Sequence, residues 1–208
     1  MSINKLGKIP PFLIAVLVIS LGISSAAFSA PVFYTSEALF TADATSGGIS
    51  LGMESFEDST NSTDFTGGSV AVAGGSGIST WSSYATDGVN MVHWWISATF
   101  TFDAPINAFG IDIVDLGTAG STTLTLTTDT GSQVLFSNFT GAGGNLLFGG
   151  VIDLTTNFVS ATLTNTASGD GVLLDRMQTG TTAVPEPTTL ALMGLGLAGI
   201  GWKRRKAA

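Results

Sequence analysis

The feature that most constrains this chain is a strict two-residue alternation over residues 92–102. Val92, Trp94, Ile96, Ala98, Phe100 and Phe102 fall on one side, and His93, Trp95, Ser97, Thr99 and Thr101 fall on the other. Successive side chains of a strand point to opposite faces, so this spacing predicts a strand with one face in a core. No helical period competes between residues 49 and 178. Short runs rich in β-branched and aromatic residues recur at 49–56, 69–73, 106–114, 122–128, 133–137, 146–153, 158–164 and 172–178. Turn-forming clusters such as Asp129-Thr130-Gly131 and Ser168-Gly169-Asp170-Gly171 divide them. The pattern predicts an all-β domain over residues 31–180, a single β-sandwich of jelly-roll or lectin-like type, with an up-and-down barrel as the alternative.

Charge narrows the partners. Between residues 31 and 180 the only base is Arg176, against 14 of the 15 acids, a formal charge of -13. Such a surface repels nucleic acid and anionic lipid, so no nucleic-acid partner is expected. The chain has no cysteine, which removes disulfides, thiolate metal sites and cysteine nucleophiles together. A domain exported without disulfides must rely on its core, which fits bacterial export.

The inventory for chemistry is thin, and the expectation is a protein that is not an enzyme and holds no cofactor. His93 is the only histidine, it lies in mid-strand, and no Gly-x-Ser-x-Gly elbow accompanies it. It reads as a surface or loop-facing strand histidine. Glu54 with Glu57, Asp112 with Asp115, and Asp153 with Asp175 are the carboxylate pairs that a glycosidase would need. Solvated strand-end acids are the commoner outcome for such residues. Among the tryptophans, Trp94 is expected in the core. Trp81 and Trp95 offer flat aromatic faces that could stack on sugar rings, although Trp95 is expected to be covered by a loop or a second sheet.

The two ends carry signals of another kind. Lys5 and Lys8 precede an apolar run over residues 12–23 and a small-residue patch over 24–30. This is the order of a secretory signal peptide, residues 1–27, with a cut as late as residue 30 as the alternative. At the other end Pro185, Glu186 and Pro187 precede an apolar run over residues 190–202 and the basic tail Lys203, Arg204, Arg205 and Lys206. Two prolines spaced by one residue keep the linker extended and accessible. A transmembrane helix is expected over 189–202, with the four bases cytoplasmic and the domain outside. The run is short for a full span, which suits a temporary hold better than a permanent anchor. Gly194, Gly196 and Gly199 spell a dinucleotide fingerprint, but they lack the strand before and the acid after that such a site needs.

Pro185, Glu186 and Pro187, the glycine-rich apolar run and the basic tail together resemble the PEP-CTERM sorting signal, here residues 184–208. The resemblance implies a substrate of exosortase, a membrane-embedded protease or transpeptidase, with processing near Pro185 to Pro187. It also implies a Gram-negative host and a destination in the cell envelope, on the cell surface or in an exopolysaccharide or biofilm matrix. The implied partners are exosortase, signal peptidase and the general secretion machinery, the inner membrane in passing, and extracellular polysaccharide. The stretches 54–57, 109–112, 148–151 and 173–175 resemble, more loosely, the domain that often precedes such a tail. This second resemblance implies a lectin-like or carbohydrate-binding-like sandwich. It also raises a structural calcium joining the first and last strands, with Glu54 or Glu57 and Asp175 as the matching acids.

Overall fold

The alternation is realised in a computed structural model that describes residues 30–182, apart from residues 60, 82 and 168. The strands are β1 (Val32–Tyr34), β2 (Ile49–Glu54), β3 (Asp64–Phe65), β4 (Gly68–Thr80), β5 (Asn90–Ile106) and β6 (Ala108–Val114). They continue as β7 (Thr122–Thr128), β8 (Ser132–Phe139), β9 (Leu146–Ile152), β10 (Phe158–Asn165) and β11 (Val172–Thr182). One helix, α1 (Glu37–Ser46), lies between β1 and β2. All nine expected strands are present. The signal peptide, the sorting residues Pro185, Glu186 and Pro187, the expected transmembrane helix and the basic tail lie outside the described residues. Among the described residues no helix is long and apolar enough to cross a membrane.

The strands form one antiparallel sheet in the order β1-β9-β6-β11-β5-β10-β7-β8, with β2 on β11, β4 on β5 and β3 on β4. Two long strands make the corner. Residues 172–174 of β11 pair with β5, whereas residues 177–182 pair with β2. Likewise β5 meets β11 through Val92, His93 and Trp94, then β10 through residues 97–106. The sheet therefore folds over on itself, nearly closed and sandwich-like. Its halves β1-β9-β6-β11-β2 and β3-β4-β5-β10-β7-β8 face each other across one core. Ile111, Ile113, Val151 and Leu174 enter that core from one half, and Val92, Trp94, Phe100, Leu126 and Leu163 from the other. Each such side chain contributes roughly 1.5–3 kcal/mol on burial.

The alternation of β5 holds with one exception. Val92, Trp94, Ala98 and Phe100 are fully buried and Phe102 nearly so, but Ile96 is 46% exposed. The register against β4 shifts between Ala73 and Gly75 and again between Gly75 and Gly77. Such bulges re-aim side chains, and Ile96 turns outward beside Gly74.

The helix qualifies the all-β expectation. Its apolar pattern is sparse, with Phe40 and Ala44 buried four residues apart while Leu39 is exposed, so no helical stripe stands out in the sequence. Packing decides the matter. Phe40 lies over Gly110 and Gly150, which are register partners on β6 and β9. A Cβ on Gly110 would come within 2.6 Å of Phe148 and 2.9 Å of Phe40. The ring also packs edge-on against Tyr34 and tilted against Phe148, with centroids 5.7 and 5.3 Å away. With Ala44, Ile49, Ala108 and Ile152 it forms a second core outside the sheet.

An ion network fixes the start of the helix. Arg176 occupies the left-handed region, φ 43°, where β11 shifts register against β6 between Asp175 and Gln178. That bend directs its guanidinium to Asp112, with Nε donating to Oδ2 at 2.7 Å, and to Glu37 at 2.9 Å. Gln178 Nε2 donates to the other Glu37 oxygen at 2.6 Å. The Asp112 hydrogen bonds, ahead of the attraction of both acids, raise the Arg176 pKa well above its usual range.

Candidate functional site

All but one of the carboxylates singled out in the sequence accept from backbone, the exception being Asp112, which pairs with Arg176. Asp175, fully buried, accepts from Thr86 N at 2.7 Å, Asp87 N at 2.8 Å, Thr86 Oγ1 at 3.0 Å and Arg176 N at 2.8 Å. Glu57 Oε1 accepts from Val89 N at 2.7 Å and Asn90 N at 2.6 Å. Glu54 Oε1 takes Phe56 N at 2.6 Å, where Phe56 is buried in the left-handed region. Burial, the largest effect at Glu54, raises its pKa despite that bond. Asp115 Oδ1 accepts Gly144 N at 2.7 Å. Asp153 Oδ1 takes Thr155 N, Thr155 Oγ1 and Thr156 N. Burial alone would raise the Asp153 pKa, but these donors together hold it below the usual range.

Each acid of the three pairs thus takes at least one hydrogen bond or ion pair from the protein itself. Asp112 serves Arg176, and its supposed partner Asp115 serves Gly144. The calcium reading is modified in an informative way. Glu57 and Asp175 do act on one element, the loop 81–89, but each holds it through N–H donors. Among the described residues no group of three or more acid or histidine side chains is placed to hold a metal ion.

What these two acids position is aromatic. The loop folds over the outside of the sheet, where Ala85 covers a small cluster of Met91, Val114 and Leu173. Trp81 then lies beside His93, with ring centroids 5.1 Å apart, and His93 meets Trp95 edge-on at 5.9 Å. Trp81 is 38% exposed and Trp95 45%. The expectation that Trp95 is covered is thus corrected. It stands on the outer face at the β5 bulge, while Ala85 of the loop packs on Met91. Trp94, by contrast, is fully buried as expected, and its indole N–H has no hydrogen-bond partner.

A continuous hydrogen-bond chain joins the two exposed indoles. Trp81 Nε1 donates to Ser79 Oγ at 3.1 Å, Ser79 lies 3.2 Å from Ser76 Oγ, and Ser76 lies 3.1 Å from His93 Nδ1. Trp95 Nε1 donates to His93 Nε2 at 3.0 Å. An indole N–H can only donate, so Nε2 is the bare nitrogen and Nδ1–H donates to Ser76. Burial lowers the His93 pKa, which favours this neutral form. Ser76 and His93 do form a serine–histidine pair, but a tryptophan stands where a triad needs a carboxylate. Gly171 closes over the pair, and a Cβ there would lie 3.1 Å from both His93 Nε2 and Trp95 Nε1.

The strip and the two ends of the described segment, Val32 and Thr182, occupy opposite poles. His93 is the register partner of Leu173 near the start of β11, while Thr182, at its end, pairs with Ile49. Val32 pairs with Ile152, itself the partner of Ala108, and Ala108 pairs with Gly180. Both the entry and the exit of the domain thus lie at one pole, roughly 25–30 Å from the strip at about 3.3 Å per residue. The side chain of Asn107 fastens that pole, accepting from Thr182 N at 3.0 Å and donating to Asp153 O at 2.8 Å.

No curated protein matches the chain. Among solved structures it is similar to the K2 cleaved adhesin domain of Lys-gingipain, with 17% identity and a TM-score of 0.42, over 62% of this chain and 99% of that one. It is also similar to the catalytic domain of a GH87 alpha-1,3-glucanase in complex with tetrasaccharides, with 15% identity and a TM-score of 0.36. That match covers 65% of this chain and 29% of the glucanase chain. Likenesses this distant carry no argument, and the architecture rests on the strand pairing itself. The tail gives a specific result: residues 183–206 match the family model of the PEP-CTERM protein-sorting motif, a substrate signal for exosortase that implies export and sorting to the cell envelope or surface.

Proposed function

We propose that this is an exported, non-enzymatic protein of the cell envelope or extracellular matrix. Secretion removes the N-terminal segment, the C-terminal apolar run holds the chain in the inner membrane, and exosortase then processes it near Pro185, Glu186 and Pro187. The observation that carries this reading is the sorting-motif match over residues 183–206. The domain's exit at Thr182 supports it, because β11 ends three residues before Pro185 and leaves the linker just beyond the folded sheet. Mass spectrometry of the protein recovered from cells tests the reading. Mature chains should begin between residues 28 and 31 and end close to Pro187. Chains that keep residues 188–208 whether or not exosortase is present would contradict it.

The non-enzymatic part draws support from the acids. Those that could act in pairs accept backbone N–H groups or pair with Arg176, so freeing one would cost the fold. A carbohydrate-binding, lectin-like role is the second reading. It is favoured by the exposed Trp81 and Trp95, because large aromatic faces held in water by a fixed scaffold suit sugar stacking.

A further inference from the structure

We infer that Trp81, His93 and Trp95 form one preorganised platform for an uncharged glycan chain, at the pole that faces away from the membrane while the tail is anchored. The inference rests on the carbohydrate-binding reading and adds its site, its ligand class and its orientation.

Preorganisation is the first argument. Both exposed indoles are tied by their N–H groups to one chain of Ser79, Ser76 and His93. Their rotamers are therefore set before any ligand arrives, and little side-chain entropy remains to be lost on binding. The N–H edges of both indoles are turned into that chain. Satisfying two indoles in this way has no role in the core, which lies on the other face of β5. The loop that carries Trp81 is in turn held by Asp175 and Glu57.

Charge selects the ligand class. A polyanion needs free cations at its site, and the single base of the described domain, Arg176, is already bound to Asp112 and Glu37. With a formal charge of -13 over residues 31–180, the domain repels uronate or sulfate polymers. A polycation would call for a carboxylate among the rings. The polar groups interleaved with them are instead Ser76, Ser79 and the neutral His93, which suit sugar hydroxyls. The rings are tilted by 50° and 79° rather than coplanar. That arrangement follows a single twisted chain better than a flat crystalline surface.

Position completes the case. The strip lies at the far end of β11 from Thr182, so a domain tethered through its tail presents the platform outward. Binding can then begin before exosortase releases the chain.

The test is affinity electrophoresis of the full chain, in detergent, through gels containing an uncharged glucan, a uronate polymer or a polyamine sugar polymer. The wild type should be retarded by the uncharged polymer, with little dependence on salt. Trp95→Ala and Trp81→Ala should each weaken retention about tenfold or more, equivalent to about 1.4 kcal/mol. Circular dichroism identifies a variant that fails to fold. In that event, quenching or a blue shift of indole fluorescence in the wild type on adding glucan replaces the variant as the measure of contact. Retention by the uncharged polymer that both folded variants keep would overturn the platform while sparing the carbohydrate reading. Retention only by a charged polymer would overturn the ligand class. No retention by any polymer would remove the platform and the carbohydrate reading together, leaving the sorting reading intact.

Discussion

The Asp175 carboxylate receives the backbone N–H of Thr86 at 2.7 Å, joining the last strand to a loop 89 residues earlier in the chain. Asp87 N donates to the same oxygen, and Glu57 receives Val89 N and Asn90 N at the loop's other end. The loop carrying Trp81 is thus suspended between two acids. Asp175→Ala would take the buried acceptor away from the N–H groups of Thr86, Asp87 and Arg176. We expect a loss of about 2–4 kcal/mol in denaturant unfolding, together with weaker glucan retention, because Trp81 loses its support. An unchanged unfolding midpoint would show that the loop is held by other means.

Gly110 separates two aromatic rings that nearly touch. Gly110→Ala introduces a Cβ at 2.6 Å from Phe148 and 2.9 Å from Phe40, so α1 must lift from the sheet. Overpacking of this kind costs about 1–3 kcal/mol. Thermal unfolding should record it, and pairing the change with Phe40→Leu should recover part of the loss. If the single variant is as stable as the wild type, the helix is not seated on this glycine.

His93 gives the domain a pH response of known sign. Its folded pKa is lowered, chiefly by burial, so the stability tied to the neutral ring is complete above the unfolded value near 6.5. That stability is lost as the pH falls from there through the folded pKa. The cause is concrete, since a protonated Nε2 would point an N–H at the Trp95 N–H. Between pH 7 and pH 5, unfolding should become easier and the exposed indoles should change their fluorescence. In His93→Ala the acid-induced fluorescence change should disappear. A variant that keeps the full change would assign it to other groups.

The sheet was legible because its strands bury one face, and a period of two in Val92, Trp94, Ala98 and Phe100 has no other reading. The exception, Ile96, depends on bulges set by pairing with β4, which a single strand cannot reveal. The helix was hidden for a related reason. Phe40 and Ala44 alone make no stripe, and the surface that receives them belongs to Gly110 and Gly150, far along the chain. Those glycines were a usable signal, since two small residues in otherwise bulky strands mark where a large side chain arrives from elsewhere.

The candidate site was only half visible. Trp95 and His93 stand out in the sequence, and Trp81 was among the exposed-aromatic candidates. Their union through Ser76 and Ser79 depends on the course of β4 and on the loop that follows it. The acids stand out in the sequence as candidates for chemistry, and in the fold they accept backbone N–H groups or pair with Arg176. Carboxylates that accept backbone N–H look the same in sequence as carboxylates that meet a substrate, and only the burial of Asp175 and its donors separate the two.

The sorting claim is tested most directly by replacing Pro185 and Pro187 with alanine in the host and fractionating the cells. The account predicts that the double variant stays at the inner membrane as an unprocessed chain retaining residues 188–208, while the wild type is shortened and leaves that membrane. A double variant shortened at the same rate, and found in the same fraction as the wild type, would contradict it.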